Sequence, residues 1–162
     1  MAQKITENLV MENVRLIYRN FAGREGTYNR QGDRNFAVVI EDPDFAQKLI
    51  EDGWNVHAKA PKNPGDEPFY YLPVTVKFNR MPPKIVSITR RKKKLLDEEN
   101  VETLDHIAIS NADVCVRPYN WETNGKTGVK AYLKTLYVTL VEDEFAAKYA
   151  EEECPDDDEV PW

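Results

Sequence analysis

Histidine and cysteine are scarce in this chain, two of each, and no histidine sits beside a cysteine. That excludes the clustered Cys/His spacing of a zinc site, and His57 and His106 read as ordinary strand or surface residues. A disulfide would have to join Cys115, inside an apolar run, to Cys154, inside an acidic tail, which is poor geometry for a bridge; both read as free thiols. Long apolar runs are missing too. Phe36 to Ile40 is typical, far below the ~20 residues that span a bilayer, and Met1 to Glu12 lacks the basic start and apolar stretch of a signal peptide. The expected location is therefore the cytoplasm, without a membrane partner. No Gly-rich phosphate loop, no repeat of solenoid period and no paired metal-binding carboxylates among the strands are visible. Asp97, Glu98, Glu99, Glu102 and Asp105 cluster beside a basic run, where charge balance explains them more simply than two-metal catalysis. Neither an enzyme, a metal nor another cofactor is expected.

The overall charge of −6 is unevenly divided. Residues 142–162 hold ten acidic side chains against Lys148 alone, leaving 21 basic and 18 acidic groups for residues 1–141. A mildly basic body thus carries a strongly acidic tail.

Patterning along the body is that of strands. Asn8 to Phe21 roughly alternates, with Val14, Leu16 and Tyr18 on one face, and reads as the first strand. The polar stretch Ala22 to Asp33 links it, as a long basic hairpin loop, to a β-branched strand at Asn35 to Ile40. Asp42-Pro43 is an N-cap followed by a residue suited to the first helical turn. Phe45, Leu49 and Ile50 then share a helical face and Gly53 closes the helix. Trp54 to Lys59 is a candidate short strand, and Ala60 to Pro68 a Pro/Gly loop. Tyr70 to Phe78 alternates with Leu72, Val74, Val76 and Phe78 inward. Lys84 to Thr89 continues as a strand, and Arg90 to Glu102 reads as an exposed loop or weak helix. Ile107 to Tyr119 and Gly128 to Val141 form a long hairpin around the turn signal Asn124-Gly125. The expected architecture is mainly β with six or seven strands. It is a small antiparallel barrel over residues 1–141 with one inserted helix, then a C-terminal helix over 142–153 and a disordered acidic tail over 154–162.

Three groups of residues carry chemistry. In the first hairpin Arg15, Arg19, Phe21, Arg24, Tyr28, Arg30 and Arg34 interleave cations and rings, as a single strand of nucleic acid requires: cations neutralise phosphates while ring faces stack on bases. Tyr18 and Phe36 belong either to this set or to the core. The run Arg90-Arg91-Lys92-Lys93-Lys94, preceded by Lys77, Arg80 and Lys84, is either a phosphate site or a solvated surface loop. On the last hairpin Arg117, Tyr119, Trp121, Lys126, Lys130, Tyr132 and Lys134 recur, with Lys130, Tyr132 and Lys134 on one strand face. The tail is different in kind. Asp156, Asp157, Asp158, Glu159, Val160, Pro161 and Trp162 place an aromatic tip and a free carboxylate after a run of negative charge, a peptide ligand for an apolar pocket with a basic rim.

That tip resembles the acidic C-terminus of bacterial single-stranded DNA-binding proteins, which ends in aspartates, an aliphatic residue, proline and phenylalanine; here Trp162 replaces the phenylalanine. Glu12 to Ile40, with Arg19-Asn20-Phe21, Gly23 and Tyr28 to Phe36, together with Gly128 to Tyr149, is similar to the OB-fold single-stranded DNA-binding proteins of tailed bacteriophages. The resemblance implies an OB-type barrel that coats single strands during replication, repair or recombination in the host cytoplasm. It also implies a tail that docks partners such as a polymerase, primase, helicase or nuclease. A strand-annealing recombination protein would share these features, and a nucleic-acid-processing enzyme or an acidic DNA mimic fits them less well. Oligomeric state is left open, a homo-oligomer included.

Overall fold

The computed structural model describes residues 5–27, 29–61, 63–66, 68–90 and 92–141. The expected C-terminal helix at 142–153 and the tail at 154–162 lie outside the described residues.

The described residues form nine strands: β1 (Leu9–Val14), β2 (Leu16–Asn20), β3 (Arg34–Ile40), β4 (His57–Lys59), β5 (Phe69–Val76), β6 (Lys84–Ile88), β7 (Lys93–Leu96), β8 (Ile109–Thr123) and β9 (Lys126–Leu140), with buried and exposed side chains alternating most clearly along β5, β8 and β9. They hydrogen-bond in the order β1-β8-β9-β5-β3-β2, with β4 beside β5, β6 beside β9 and β7 beside β6. One face of this sheet wraps the core, in which Phe21, Phe36, Leu72, Val74, Ile85, Val116, Leu133 and Leu136 are almost wholly buried.

The single first strand expected from the sequence is two strands. Asn13 and Tyr18 take left-handed backbone (φ 55° and 53°) beside register shifts in both ladders, so the chain turns at Arg15 and serves both ends of the sheet. Among the described residues no ladder closes the sheet expected to form a small barrel. Its two ends are instead consecutive segments of chain, and Val39 N–H donates to the Arg15 carbonyl (2.9 Å) at the corner. Nor is the sheet wholly antiparallel, because β9 runs parallel to β5 at Val74–Ala131 and to β6 from Lys84–Thr135 onward.

The inserted helix α1 (Pro43–Asp52) starts and stops where the sequence says it should. The Asp42 carboxylate accepts from the Asp44 N–H, and Gly53, at φ 100°, donates to the Ile50 carbonyl in a left-handed cap. Its buried stripe is Ala46 and Leu49, whereas Ile50 is exposed. The segment read as a loop or weak helix, Arg90 to Glu102, instead contains β7, whose ladder with β6 turns over the Thr89–Lys92 hydrogen bonds. Asp97 then accepts from the Glu99 and Asn100 amides and starts a 3-10 helix (Val101–Asp105), which buries Val101 and Leu104. The long hairpin β8–β9 pairs from Ile109–Leu140 to Thr123–Lys126, and Asn124 and Gly125, both at positive φ, make its turn. Cys115 is a free, half-buried thiol. Among the described residues, no helix is long and apolar enough to cross a membrane.

Candidate nucleic-acid interface

Core residues on β5, β9 and β8 alternate with residues that face outward, and the ladder registers line those up with polar positions on β3 and β2. Asn20 pairs with Asn35, Asn35 with Thr75, Thr75 with Tyr132, and Tyr132 with Arg117. This transverse row of polar side chains crosses five strands, about 19 Å at ordinary strand spacing.

Two clusters of rings and lysines flank the row on the same outer face. In the first, on β2, β4 and β5, Tyr71 meets Tyr18 edge-on (5.4 Å between centroids), stacks on His57 (5.3 Å) and tilts against Phe69 (6.0 Å). Lys59 Nζ lies 5.6 Å from the Tyr18 ring centre and 5.8 Å from that of Phe69, and donates to the Tyr18 hydroxyl at 3.0 Å. This hydrogen bond, and then the charge interaction with the phenol, hold the Lys59 pKa above its ordinary 10.5. The left-handed backbone at Tyr18 turns its ring outward, 52% exposed.

The second cluster lies on β8–β9. Tyr119 meets Tyr132 edge-on at 5.7 Å, and Lys130 Nζ sits 5.3 Å from the Tyr132 ring centre. Trp121 lies flush on Gly128, where an added Cβ would come within 2.6 Å of the indole. Further along β9, Lys84 lies over Tyr137 at 5.7 Å, and Lys134 is exposed. Tyr71 is four residues from Thr75 along β5, about 13 Å, and Thr75 is one strand from Tyr132. The clusters therefore share one continuous surface. Exposed ring faces beside lysines, over a row of amide and hydroxyl groups, suit a flexible polyanion with stackable rings.

The fold separates the residues that sequence reasoning grouped. Tyr119, Trp121, Lys126, Lys130, Tyr132, Lys134 and Arg117 do come together on β8–β9, although Arg117 spends its guanidinium on the Met81 sulfur (2.9 Å) and carbonyl (3.3 Å). Phe21 does not join them. It is wholly buried and stacked on Phe36 at 5.1 Å, so it is a core residue whose ring offers no face to a ligand. Arg19 donates through Nη1 to the carbonyls of Leu104 and Ile107, both at 2.7 Å. Arg34 donates to the Phe21 carbonyl and to Glu98, and packs over Phe78. Arg24 faces Asp105 at 3.6 Å, and Arg30 is exposed beside Asp33. Arg15 lines a groove with Glu41 at the β1–β2 corner. Lys77 and Arg80 are exposed on the β5–β6 connection. Arg90 and Lys92 sit at the β6–β7 turn, where Ile88 aligns with Thr139, nine residues along β9 from Lys130, or about 30 Å. Tyr28 and Arg91 lie outside the described residues.

Lys59, Phe69, His57 and Tyr71 are not singled out as ligand contacts by the sequence. The signal that could have found them is the strand His57–Lys59, which places His57 and Lys59 opposite Tyr71 and Phe69.

A curled, incompletely closed sheet with one inserted helix is consistent with an OB-like fold, and its outer face has the make-up of a nucleic-acid-binding module. The chain belongs to the phage ssDNA-binding domain family, which matches residues 1–160. Among solved structures it is similar to the single-stranded DNA-binding protein from bacteriophage Enc34 in complex with ssDNA, at 13% identity and a TM-score of 0.56, over 89% of this chain and 96% of that one. A second structure of the single-stranded DNA-binding protein from bacteriophage Enc34 aligns at 11% identity and a TM-score of 0.53, over 89% and 90% of the two chains. At such identities the likeness is one of fold. No curated protein matches the sequence.

Proposed function

We propose that this chain binds single-stranded DNA without sequence preference across the outer face between the Tyr18–Lys59–Tyr71 and Tyr119–Lys130–Tyr132 clusters. The observation that carries the reading is the register-matched row from Asn20 to Arg117, which makes one surface of two separate sets of rings and lysines. Stacking accepts any base because every base has a π-face, and lysines read phosphate rather than sequence. Family membership and the ssDNA complex of the bacteriophage Enc34 protein support the choice of single strands over duplex. Arg24, Arg30, Lys84 and Lys134 supply phosphate contacts at the margins of this face. The acidic tail from Asp156 to Trp162 recruits partner proteins in replication, repair or recombination, a role supported by its charge and its aromatic end.

Titration of labelled oligo-dT, oligo-dA, matching RNA and duplex at two salt concentrations tests the binding half. Similar affinities for oligo-dT and oligo-dA, weaker duplex binding and a clear salt slope are expected. Duplex bound as tightly as oligo-dT would sink the reading. Pull-downs from the native host with wild type and Trp162→Ala test the tail, and recovery of the same replication proteins by both would remove its recruiting role.

A further inference from the structure

Four strands of this sheet have a ladder on one side only among the described residues: β2 with β3, β4 with β5, β1 with β8, and β7 with β6. Of these, β1 and β7 each carry a large aliphatic residue where solvent should have excluded it. Val10 is 62% and Leu95 66% exposed, the two largest values among the exposed large apolar side chains. Beside Val10 on the outward side of β1 is Glu12, since Met11 between them is buried; beside Leu95 on β7 is Lys93, since Leu96 is buried. One free edge is therefore apolar and acidic, the other apolar and basic.

The spacing is complementary as well. In an antiparallel pairing that sets Val10 opposite Leu95, Glu12 falls opposite Lys93, so the apolar and ionic pairs form in one register on one face. β1 is also open to approach, because a groove runs beside it, walled by Val39, Ile40 and Phe45 and rimmed by Glu41 and Asp42, with Arg15 at its end. Its acidic rim favours a lysine-bearing strand and disfavours the acidic tail of this chain.

We propose that β7 of one copy adds to the free edge of β1 of a second copy, joining copies head to tail into a continuous sheet. The contact is heterologous: each copy keeps a free β7 at one end and a free β1 at the other, so it propagates as a row and does not close as a dimer. Four residues bury far less than the ~1,000 Å² expected of a stable interface, so the contact is weak between free copies. On a shared single strand neighbouring copies are held at high effective concentration, and the same contact then acts as cooperativity. That consequence rests on the proposed single-strand binding; the edge pairing itself does not.

Charge-reversed variants Glu12→Lys and Lys93→Glu, each alone and mixed, test it on oligo-dT long enough for one copy and on oligo-dT long enough for many. On the short strand both variants bind like wild type. On the long strand each alone loses cooperativity by about tenfold, as an attractive cross-strand pair becomes a repulsive one. An equimolar mixture regains it, because the β7 of each variant then suits the β1 of the other. Equal cooperativity for wild type and both variants, or no recovery on mixing, overturns the proposal. Failure of wild type on the short strand instead overturns the binding reading. A DNA-free arm then decides the edge pairing: Val10→Cys and Leu95→Cys in one chain, with Cys115→Ser and Cys154→Ser, give a disulfide ladder under mild oxidation at high concentration. Absence of that ladder also overturns the pairing.

Discussion

The first hairpin and the last hairpin look alike as strings of residues, each mixing cations with aromatic rings, yet the fold uses them in opposite ways. In the first, Arg19 and Arg34 are turned to protein acceptors, while Arg24 and Arg30 stay largely exposed. Arg19 holds the carbonyl of Leu104, in the 3-10 helix, and that of Ile107, just after it, Arg34 holds the Phe21 carbonyl and Glu98, and Phe21 is core. In the last, Lys130 lies over a tyrosine, Lys126 and Lys134 are exposed, and the rings of Tyr119 and Trp121 reach solvent. The difference comes from carboxylates and carbonyls of residues 98–107, far away in sequence, which meet the first hairpin and not the last. A cation beside a ring marks a nucleic-acid surface only when nothing else in the fold takes the cation.

The strongest test of that contrast is Asp105→Ala. The Asp105 carboxylate is fully buried and accepts from the Phe21 N–H (2.7 Å) and the Ala22 N–H (3.0 Å), besides facing Arg24. Its removal strands two amides and should cost about 3 kcal/mol in urea unfolding. Lys130→Ala, on the other hairpin, should stay within about 0.5 kcal/mol of wild type. A loss under 1 kcal/mol for Asp105→Ala would mean that the first hairpin is not held as described.

Binding should show the reverse ranking. Tyr132→Ala and Tyr71→Ala, each confirmed as folded, should lose about 1 to 3 kcal/mol of oligo-dT affinity through lost stacking. The contrast sharpens if Phe21→Leu, which keeps the core apolar, leaves affinity unchanged in the folded protein. It breaks if Phe21→Leu weakens binding as much as Tyr132→Ala does.

Among the cations the effect is smaller and appears in salt dependence. Lys130→Ala should reduce the slope of log affinity against log salt by about one. Arg19→Ala should leave that slope intact while lowering stability by about 2 kcal/mol, because two buried-side carbonyls lose a charged donor. Equal slope changes for both would place Arg19 on the phosphate path.

Local chemistry was legible in the sequence wherever the signal was short-range. Asp42-Pro43 and Gly53 bounded α1, Asn124-Gly125 turned β8 into β9, and the alternation from Tyr70 onward put Leu72, Val74 and Val76 in the core. Long-range pairing was not legible. β7 has Lys93 and Lys94 at its start and no alternation long enough to read; it is a strand because β6 offers an edge. The break at Arg15 depends on left-handed backbone at Asn13 and Tyr18, which asparagine hints at and tyrosine does not. The candidate surface followed the same rule. The Tyr119–Lys130–Tyr132 set lies within one hairpin and could be seen, whereas Lys59 and Tyr71 meet only through the β4–β5 ladder.

The smallest expected effect concerns the cluster that sequence reasoning missed. Lys59 donates to the Tyr18 hydroxyl, so its protonated form is favoured and its pKa lies above 10.5. A lysine pKa raised on folding adds stability that is complete below the unfolded value and is lost only as pH rises through the folded one, above 10.5. Lys59 should therefore keep its charge from pH 6 to pH 9 and give no pH dependence of binding there. Tyr18→Phe removes the acceptor but keeps the ring. The Lys59 titration, followed by NMR at its side-chain carbons, should then move down toward 10.5, with oligo-dT affinity changing by less than about threefold because ring and charge both remain. An unchanged titration would show that the hydroxyl does not hold Lys59. A tenfold loss of affinity would show that the hydroxyl contacts DNA, making this cluster a polar reader rather than a stacking platform.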